Sequence, residues 1–213
     1  MFNFLNPERI LLTIPGIIIG LAFHEFAHAL ASDRLGDPTP RNMGRLTISP
    51  IPHIDPIGLL LIIFAGFGWA KPVQINPRYY KNPKRDDMIV SFAGPFTNLL
   101  IAFLFAFVFS LLVKFSPPSL LSNKTFGILA RIFDYTIWIN VILFLFNLIP
   151  LPPLDGFHIL ADIIPFKHSN VIFTLRKYST IILIIIIVTP IVSIVIGTPA
   201  NFIYNLIYGI FGI

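Results

Sequence analysis

The first chemically informative residues lie in the segment GLAFHEFAHALA, residues 20–31. Its HExxH pattern puts His24 and His28 four residues apart, and positions i and i+4 of a helix lie on one face. Two imidazoles so arranged can bind one zinc ion, and Glu25, one position along, can take a proton from a water on that metal. The alternative is a chance match, or a set of buried polar groups that satisfy one another.

The surroundings of this pattern favour the metal site. Ionisable side chains are costly inside a membrane, and by default they mark a functional site there. The chain has only two glutamates and five histidines, and one of those glutamates and two of those histidines fall within five positions flanked by apolar residues. We therefore expect a metal site in this segment.

A catalytic zinc ion usually has three protein ligands and a fourth position for water. The best source of the third ligand is NLIPLPPLDG, residues 147–156, because it ends a long apolar span and its prolines and Gly156 break the helix. Broken backbone at membrane depth is tolerated where it lines a cavity. Asp155 projects from the break and is the predicted third ligand. The alternative is that Asp155 caps the short helix that follows it.

The composition indicates a membrane protein. Of 213 residues, 55% are hydrophobic and only 12% are charged, and the mean hydropathy is +0.83. A soluble globular chain has roughly 25% charged residues, so this chain cannot cover a water-facing surface with polar groups. The net charge of +5 is better explained by Lys and Arg in cytoplasmic loops than by nucleic acid. Without cysteine, any metal must be held by His, Asp or Glu.

The apolar segments predict an all-α polytopic membrane protein with about four full transmembrane helices. The predicted spans are 10–31, 88–113, 128–149 and 178–196. Segments 57–70 and 155–165 are short and suit re-entrant or interfacial elements. The tail 201–213 suits the interface, and the segment around 71–80 has enough β-branched and aromatic residues for a small β-hairpin.

We expect a single integral-membrane domain over residues 1–213, with a core at about 10–165 and a C-terminal helical segment at 178–213. Loop charges predict its topology. If 57–70 crosses the membrane, Lys and Arg divide almost evenly between the two sides. If it dips and returns, the loops that share one side hold eleven of the fifteen Lys and Arg; these loops are 32–56, 71–87 and 167–177. The positive-inside rule favours the second arrangement and a cytoplasmic location for these loops.

Together these residues resemble the site-2 protease family of intramembrane zinc metalloproteases. That family combines HExxH in one transmembrane helix with a later NxxPxPxLDG segment, and both are intact here. The resemblance extends to DPIG at 55–58, FGWAKPV at 67–73 and AGPFTN at 93–98. The short chain, without a recognisable PDZ insertion, is similar to the small, minimal branch of the family.

The resemblance implies a zinc metalloendopeptidase that cleaves transmembrane segments of other membrane proteins. One zinc ion per chain would be held by the three ligands predicted above, and Glu25 would be the general base and later proton donor. Asn147 would position the substrate or stabilise an oxyanion, although it could equally bond carbonyls freed at the helix break. Asn98 is a second candidate for substrate contact, with polar contact between helices as the alternative.

The implied partners are a lipid bilayer and a transmembrane protein substrate, and the implied location is the plasma membrane with the site toward the cytoplasm. Nothing in the sequence sets the oligomeric state. The role of His53 stays open between the zinc, the substrate and a bond to Asp55, and that of His158 between support of the site and packing.

Two other functional classes use the same residues. A metal or ion transporter is opposed by the lack of paired halves with broken helices in corresponding positions. An inactive membrane scaffold is opposed by the intact Glu25, because a scaffold needs no general base.

Overall fold

The computed structural model describes residues 6–65, 68–165, 169–189 and 193–213. Within these residues the chain folds into α-helices joined by turns, two short 3-10 helices and one π-helical turn at Ser193–Gly197, and no strand is present. The α-helices are α1 Pro7–Arg34, α2 Thr39–Asn42, α3 Pro56–Ala65, α4 Pro83–Phe115, α5 Pro118–Leu121, α6 Lys124–Asn147, α7 Asp155–Ile163, α8 Ser169–Val188 and α9 Thr198–Phe211.

Four stretches of the described chain are helices long and apolar enough to cross a membrane. They are Pro7–Arg34, Pro83–Phe115, Lys124–Asn147 and Ile194–Phe211. The first three correspond to the predicted spans at 10–31, 88–113 and 128–149. Asn6 and Asn123 are the N-caps of α1 and α6, where their side-chain oxygens accept N–H groups of the first turn. The chain is therefore a multi-pass membrane protein, as predicted.

The helices α1, α4 and α6 pack against one another. Helix α1 approaches α6 closely at Gly16 and Gly20. A Cβ added to Gly16 would lie 2.8 Å from the Cα of Thr136, and one added to Gly20 would lie 2.8 Å from Oδ1 of Asn140. Small residues four apart allow such close approach between membrane helices. This contact brings the polar side chains of α6 to the turn of α1 that precedes His24.

The two ends of the segment that contains α3 lie next to each other. Helix α3 has ten residues, and at 1.5 Å per residue it reaches about 15 Å, half of a hydrocarbon core roughly 30 Å thick. The N–H of Lys71 donates to the carbonyl of His53 at 2.8 Å, and the backbone of Trp69 lies against Gly58. The two ends of the segment therefore meet, as the re-entrant prediction for 57–70 requires; residues 66 and 67 lie outside the described part.

The predicted β-hairpin around 71–80 does not form. The segment has no regular secondary structure at its start and is a 3-10 helix at Pro77–Tyr79. Its backbone N–H groups bond to side chains instead of to a second strand: Val73 donates to Glu25 at 2.8 Å and Asn76 donates to Asp37 at 2.7 Å. These tertiary partners replace the strand pairing that the β-branched residues had suggested.

The C-terminal part differs in detail from the prediction. The predicted span 178–196 lies partly in α8 and includes residues 190–192, which are outside the described part. The tail predicted to lie at the interface instead forms α9, which packs against α4 and α6. Ala200 and Ile207 are fully buried there, and the hydroxyls of Tyr204 and Tyr208 donate to Asp134 on α6.

Candidate metal centre

The two histidines of α1 are oriented through their Nδ1 atoms by partners on α4. His28 Nδ1 lies 2.7 Å from the backbone carbonyl of Val90, and His24 Nδ1 lies 2.7 Å from Oδ1 of Asn98. Because a carbonyl oxygen only accepts, Nδ1 of His28 carries the hydrogen, and the neutral ring presents an unprotonated Nε2. A second partner on the ring nitrogen remote from the metal is the usual arrangement of a metal-binding histidine.

The same tautomer follows for His24 from the bonds of Asn98. The amide nitrogen of Asn98 donates to the carbonyl of Gly20 and to Oδ1 of Asn140, both at 3.0 Å. Its Oδ1 is therefore the acceptor for His24, whose Nε2 also has a free lone pair. Asn98 is fully buried, and both of its donors are used. These bonds match the alternative of polar contact between helices and support a positioning role for Asn98, while its contact with substrate or an oxyanion stays a prediction.

The unprotonated Nε2 atoms converge with the carboxylate of Asp155. The two Nε2 atoms are 3.0 Å apart, and they lie 3.2 Å and 3.3 Å from the carboxylate oxygens. Oδ2 of Asp155 is buried without a hydrogen bond. Acceptors that face one another in this way repel unless a cation lies among them. Tetrahedral zinc at 2.0–2.1 Å from its ligands separates them by about 3.3 Å, so these three residues fit a zinc ion.

Asp155 reaches this position from the broken end of α6. After Asn147 the chain turns through PLPPLD, which contains a cis peptide bond between Pro152 and Pro153, and α7 begins at Asp155 without a side-chain cap. The capping alternative is therefore not what the structure contains. Gly156 leaves the room for this turn, since a Cβ there would lie 2.7 Å from the carbonyl oxygen of Ile149.

Asp155 would bind a metal as the ionised carboxylate.

Glu25 lies beside the metal group and is 7% exposed. Its Oε2 accepts the backbone N–H of Val73 at 2.8 Å, and no hydrogen bond to Oε1 is present within the described residues. One carboxylate oxygen is thus fixed by the segment that follows the re-entrant element.

Asn147 is half-buried, and its amide nitrogen donates to the carbonyl of Leu143 in its own helix at 3.0 Å. Leu143 lies within α6, so its carbonyl is not one of those freed at the helix break, and both roles considered for Asn147 stay predictions.

The two remaining histidines of interest lie outside the metal group. His53 is fully buried, its Nε2 lies 2.8 Å from the carbonyl of Thr47, and its Nδ1 has no partner; burial lowers its pKa. It does not bond to Asp55, which accepts the N–H of Gly58. Nδ1 of His158 lies 3.5 Å from the carboxylate of Asp87 on α4, so His158 links α7 to α4.

Sequence reasoning missed several residues that shape the site. The carbonyl of Val90 and the N–H of Val73 are backbone groups, and the residue type does not show where a backbone group bonds, so no signal in the sequence could have identified them. Asn140 had a signal, because an amide inside an apolar span usually bonds to another helix. Gly94 was noted only as part of AGPFTN; a Cβ there would lie 2.7 Å from Cε1 of His24 and would overlap the ring of His28.

The fold and the site together define a membrane-embedded metalloprotein of the hydrolytic kind. Two imidazoles and one carboxylate leave the fourth position of a tetrahedral zinc ion open, and a glutamate lies alongside. Residues 12–190 match the model of peptidase family M50. The chain belongs to this family, the site-2 protease family of zinc metalloproteases, and no inserted PDZ-type domain lies between the helices of the described residues.

Named relatives agree with this assignment. The chain is 40% identical over 185 residues to the Bacillus subtilis (strain 168) protein named "Putative zinc metalloprotease YwhC", a match that covers 87% of this chain and 84% of the relative. It is 28% identical over 187 residues to "Putative zinc metalloprotease Rip2" of Mycolicibacterium smegmatis, covering 84% of this chain and 68% of the relative. No solved structure was found to match.

Proposed function

We propose that this protein is an intramembrane endopeptidase that hydrolyses a peptide bond within the transmembrane segment of another membrane protein. The observation that carries the proposal is the convergence of two unprotonated Nε2 atoms and one carboxylate within about 3.3 Å, with Glu25 beside them. This set lies among helices that span the membrane, so a substrate would meet it at membrane depth.

In this proposal His24, His28 and Asp155 hold the zinc ion. Zinc, when bound, lowers the pKa of a coordinated water and polarises the carbonyl of the substrate. Glu25 accepts the proton of the attacking water and later delivers it to the departing amine, as a general base and acid. Asn98 and the carbonyl of Val90 keep the two imidazoles in their metal-binding tautomer and orientation.

The substrate is expected to unwind locally before cleavage. Backbone carbonyls of an intact helix are hydrogen-bonded within the helix and are shielded by side chains. Asn147 lies where the chain breaks to place Asp155, and we propose that its amide contacts the unwound substrate or the developing oxyanion.

We also propose the plasma membrane as the location of the protein, and the distribution of charge supports a site on its cytoplasmic side. Contacts near the site join the loops on either side of α3, which are rich in Lys and Arg. Arg131 pairs with Glu8 at 2.5 Å near the start of α1. This pair is at the opposite end of α1 from His24 and His28. Basic loops next to membrane spans remain in the cytoplasm.

The decisive experiment compares the purified protein with its Glu25→Gln variant. Zinc content is measured by mass spectrometry, and cleavage is measured with a model transmembrane substrate in detergent and in liposomes. We expect the variant to retain zinc and to lose roughly 100-fold or more in cleavage rate, the range typical of a general base.

Other outcomes separate the rival classes. Cleavage that survives Glu25→Gln would contradict the protease mechanism. Zinc flux into liposomes without cleavage would identify a transporter. Wild-type protein that binds zinc and shows neither activity would be a scaffold.

A further inference from the structure

Arg45 is a buried cation outside the membrane spans, and its contacts are unusual. Its side chain is in the loop after α2, and the residue is 6% exposed. It donates to the backbone carbonyls of Pro52 and Lys71, its Nε has no partner, and within the described residues no carboxylate lies at ion-pair distance from it. Burial lowers the pKa of Arg45. A buried charge without a counter-ion is costly, so a purpose for it is expected.

The contacts of Arg45 close the base of the re-entrant segment. One donor holds Pro52, before the segment, and another holds Lys71, directly after it. The N–H of Lys71 also donates to the carbonyl of His53 at 2.8 Å. Both backbone polar groups of Lys71 are therefore fixed.

Two residues beyond Lys71, the backbone reaches the proposed general base. The N–H of Val73 donates to Oε2 of Glu25 at 2.8 Å, and the segment is held again where Asn76 donates to Asp37. Residues 71–76, which we term the clamped segment, are thus fixed at both ends, with the bond to Glu25 between the fixed points.

From this arrangement we propose that Arg45 is a positioning residue for Glu25, acting through the clamped segment. Arg45 holds Lys71, the position of Lys71 sets that of the Val73 N–H, and this N–H fixes one oxygen of Glu25. Oε1 is then left for the attacking water. This inference rests on the proposed function, because it assumes that Glu25 is the general base.

The test is a double-mutant cycle between Arg45 and the Val73 N–H. Arg45→Met removes the donors and keeps an unbranched side chain, and Val73→Pro removes the N–H. We expect each variant to keep its zinc and to lose roughly 10- to 100-fold in kcat with KM little changed, as loss of a bond to a charged group predicts. The double variant should be no slower than Val73→Pro alone.

A matched control isolates the effect. Arg41→Met removes an arginine that is 66% exposed and paired with Asp33, and this variant should cleave at the wild-type rate. Arg45→Lys should be intermediate, because one ammonium cannot reproduce the fork that spans two carbonyls.

Several results would overturn the inference. One is a double variant whose loss in kcat equals the product of the two single losses. Another is an Arg45→Met variant in which only KM rises or from which zinc is lost. If Arg45→Met does not fold, Val73→Pro decides alone, and a wild-type kcat in that variant contradicts the proposal. An active Glu25→Gln enzyme would instead refute the proposed function, so the two failures are distinguishable.

Discussion

At the scale of single residues, the metal group depends on partners that lie on a different helix. The ring of His24 is held by Asn98 at 2.7 Å and that of His28 by the carbonyl of Val90 at 2.7 Å. Packing of α4 against α1 therefore sets the direction of both Nε2 lone pairs.

Removing the partner of His24 should weaken metal binding. Asn98→Leu deletes the acceptor for Nδ1–H, so the ring loses its fixed tautomer and orientation, and zinc affinity should fall roughly 10- to 100-fold. Competition with a chelator of known affinity measures this change. Asn201→Leu is the control, because Asn201 is exposed and bonds only to a carbonyl of its own turn. Equal zinc affinity in the two variants would contradict the positioning role of Asn98.

A methyl group at Gly94 should exclude the metal by a steric route. A Cβ at this position would lie 2.7 Å from Cε1 of His24 and would overlap His28, so Gly94→Ala must push the two rings apart. We expect purified Gly94→Ala to contain little zinc. Gly127→Ala on α6, where a Cβ would meet nothing within 4 Å, should retain zinc as the wild type does. Full zinc occupancy in Gly94→Ala would show that α4 can move away without loss of the site.

The ligands could be predicted from the sequence, and their partners could not. His24, Glu25 and His28 follow from helix geometry, which sets the i, i+4 relation without tertiary information. Asp155 follows from the broken helix that presents it. The partner of each Nδ1 depends on how two distant helices pack, and for that reason the sequence left Asn98 open between contact with substrate and polar contact between helices.

At the scale of elements, α7 carries Asp155 and is joined to α4 by a cluster of ionisable groups. His158 and Asp162 of α7 face Asp87 of α4, and Lys84 lies near. Buried carboxylate oxygens of Asp87 and Asp162 have no hydrogen-bond partner. Burial, followed by the charge of Asp87, raises the pKa of Asp162 to about 6.

This cluster predicts a pH-dependent effect of one substitution. A carboxyl group whose pKa is higher in the folded state than in the unfolded state binds its proton on folding, so its contribution to stability falls as pH rises from about 4 to about 6. Asp162→Asn should therefore raise the apparent melting temperature in detergent more at pH 7.5 than at pH 4.5.

The control for Asp162→Asn is Asp37→Asn, which should change stability in the opposite direction. Burial acts to raise the pKa of Asp37, but hydrogen bonds from Thr39, Asn76 and Ser32 lower it overall. Asp37→Asn should destabilise the protein at both pH values. An equal shift for Asp162→Asn at pH 4.5 and pH 7.5 would mean that Asp162 does not titrate differently on folding.

The elements differ in how far sequence could predict them. Spans α1, α4 and α6 were predictable because a bilayer requires about 20 apolar residues in succession, whatever the tertiary structure. The segment 71–80 was not, because its backbone bonds to Glu25 and Asp37, which are distant in sequence. The position of α9 was not predictable either, because it depends on contacts of its small and polar residues with α6, which is distant in sequence.

At the scale of the whole molecule, the re-entrant segment decides which loops share a side of the membrane. Because Lys71 and His53 are joined by a backbone hydrogen bond, the loop before α3 and the loop after it lie together. A crossing at 57–70 would have put these loops on opposite sides and would have separated the α1 histidines from the start of α4.

Cysteine labelling can test both the re-entrant fold and the proposed orientation, since the natural chain contains no cysteine. Exposed positions in the two loops are Asn42 and Lys81, and Ser122 lies between α5 and α6. With a membrane-impermeant maleimide on intact cells, we expect Ser122→Cys to be labelled. Asn42→Cys and Lys81→Cys should be labelled only after permeabilisation, because the positive-inside rule keeps the loops with most Lys and Arg in the cytoplasm.

The labelling pattern separates two kinds of error. If Asn42→Cys and Lys81→Cys are labelled from opposite sides, the segment 57–70 crosses the membrane and the metal group could not assemble as it does here. If both are labelled in intact cells while Ser122→Cys is not, the fold stands and the site faces the exterior. In that case a transmembrane substrate would have to present its scissile bond from the outer leaflet, and the proposed cytoplasmic location of the site would be wrong.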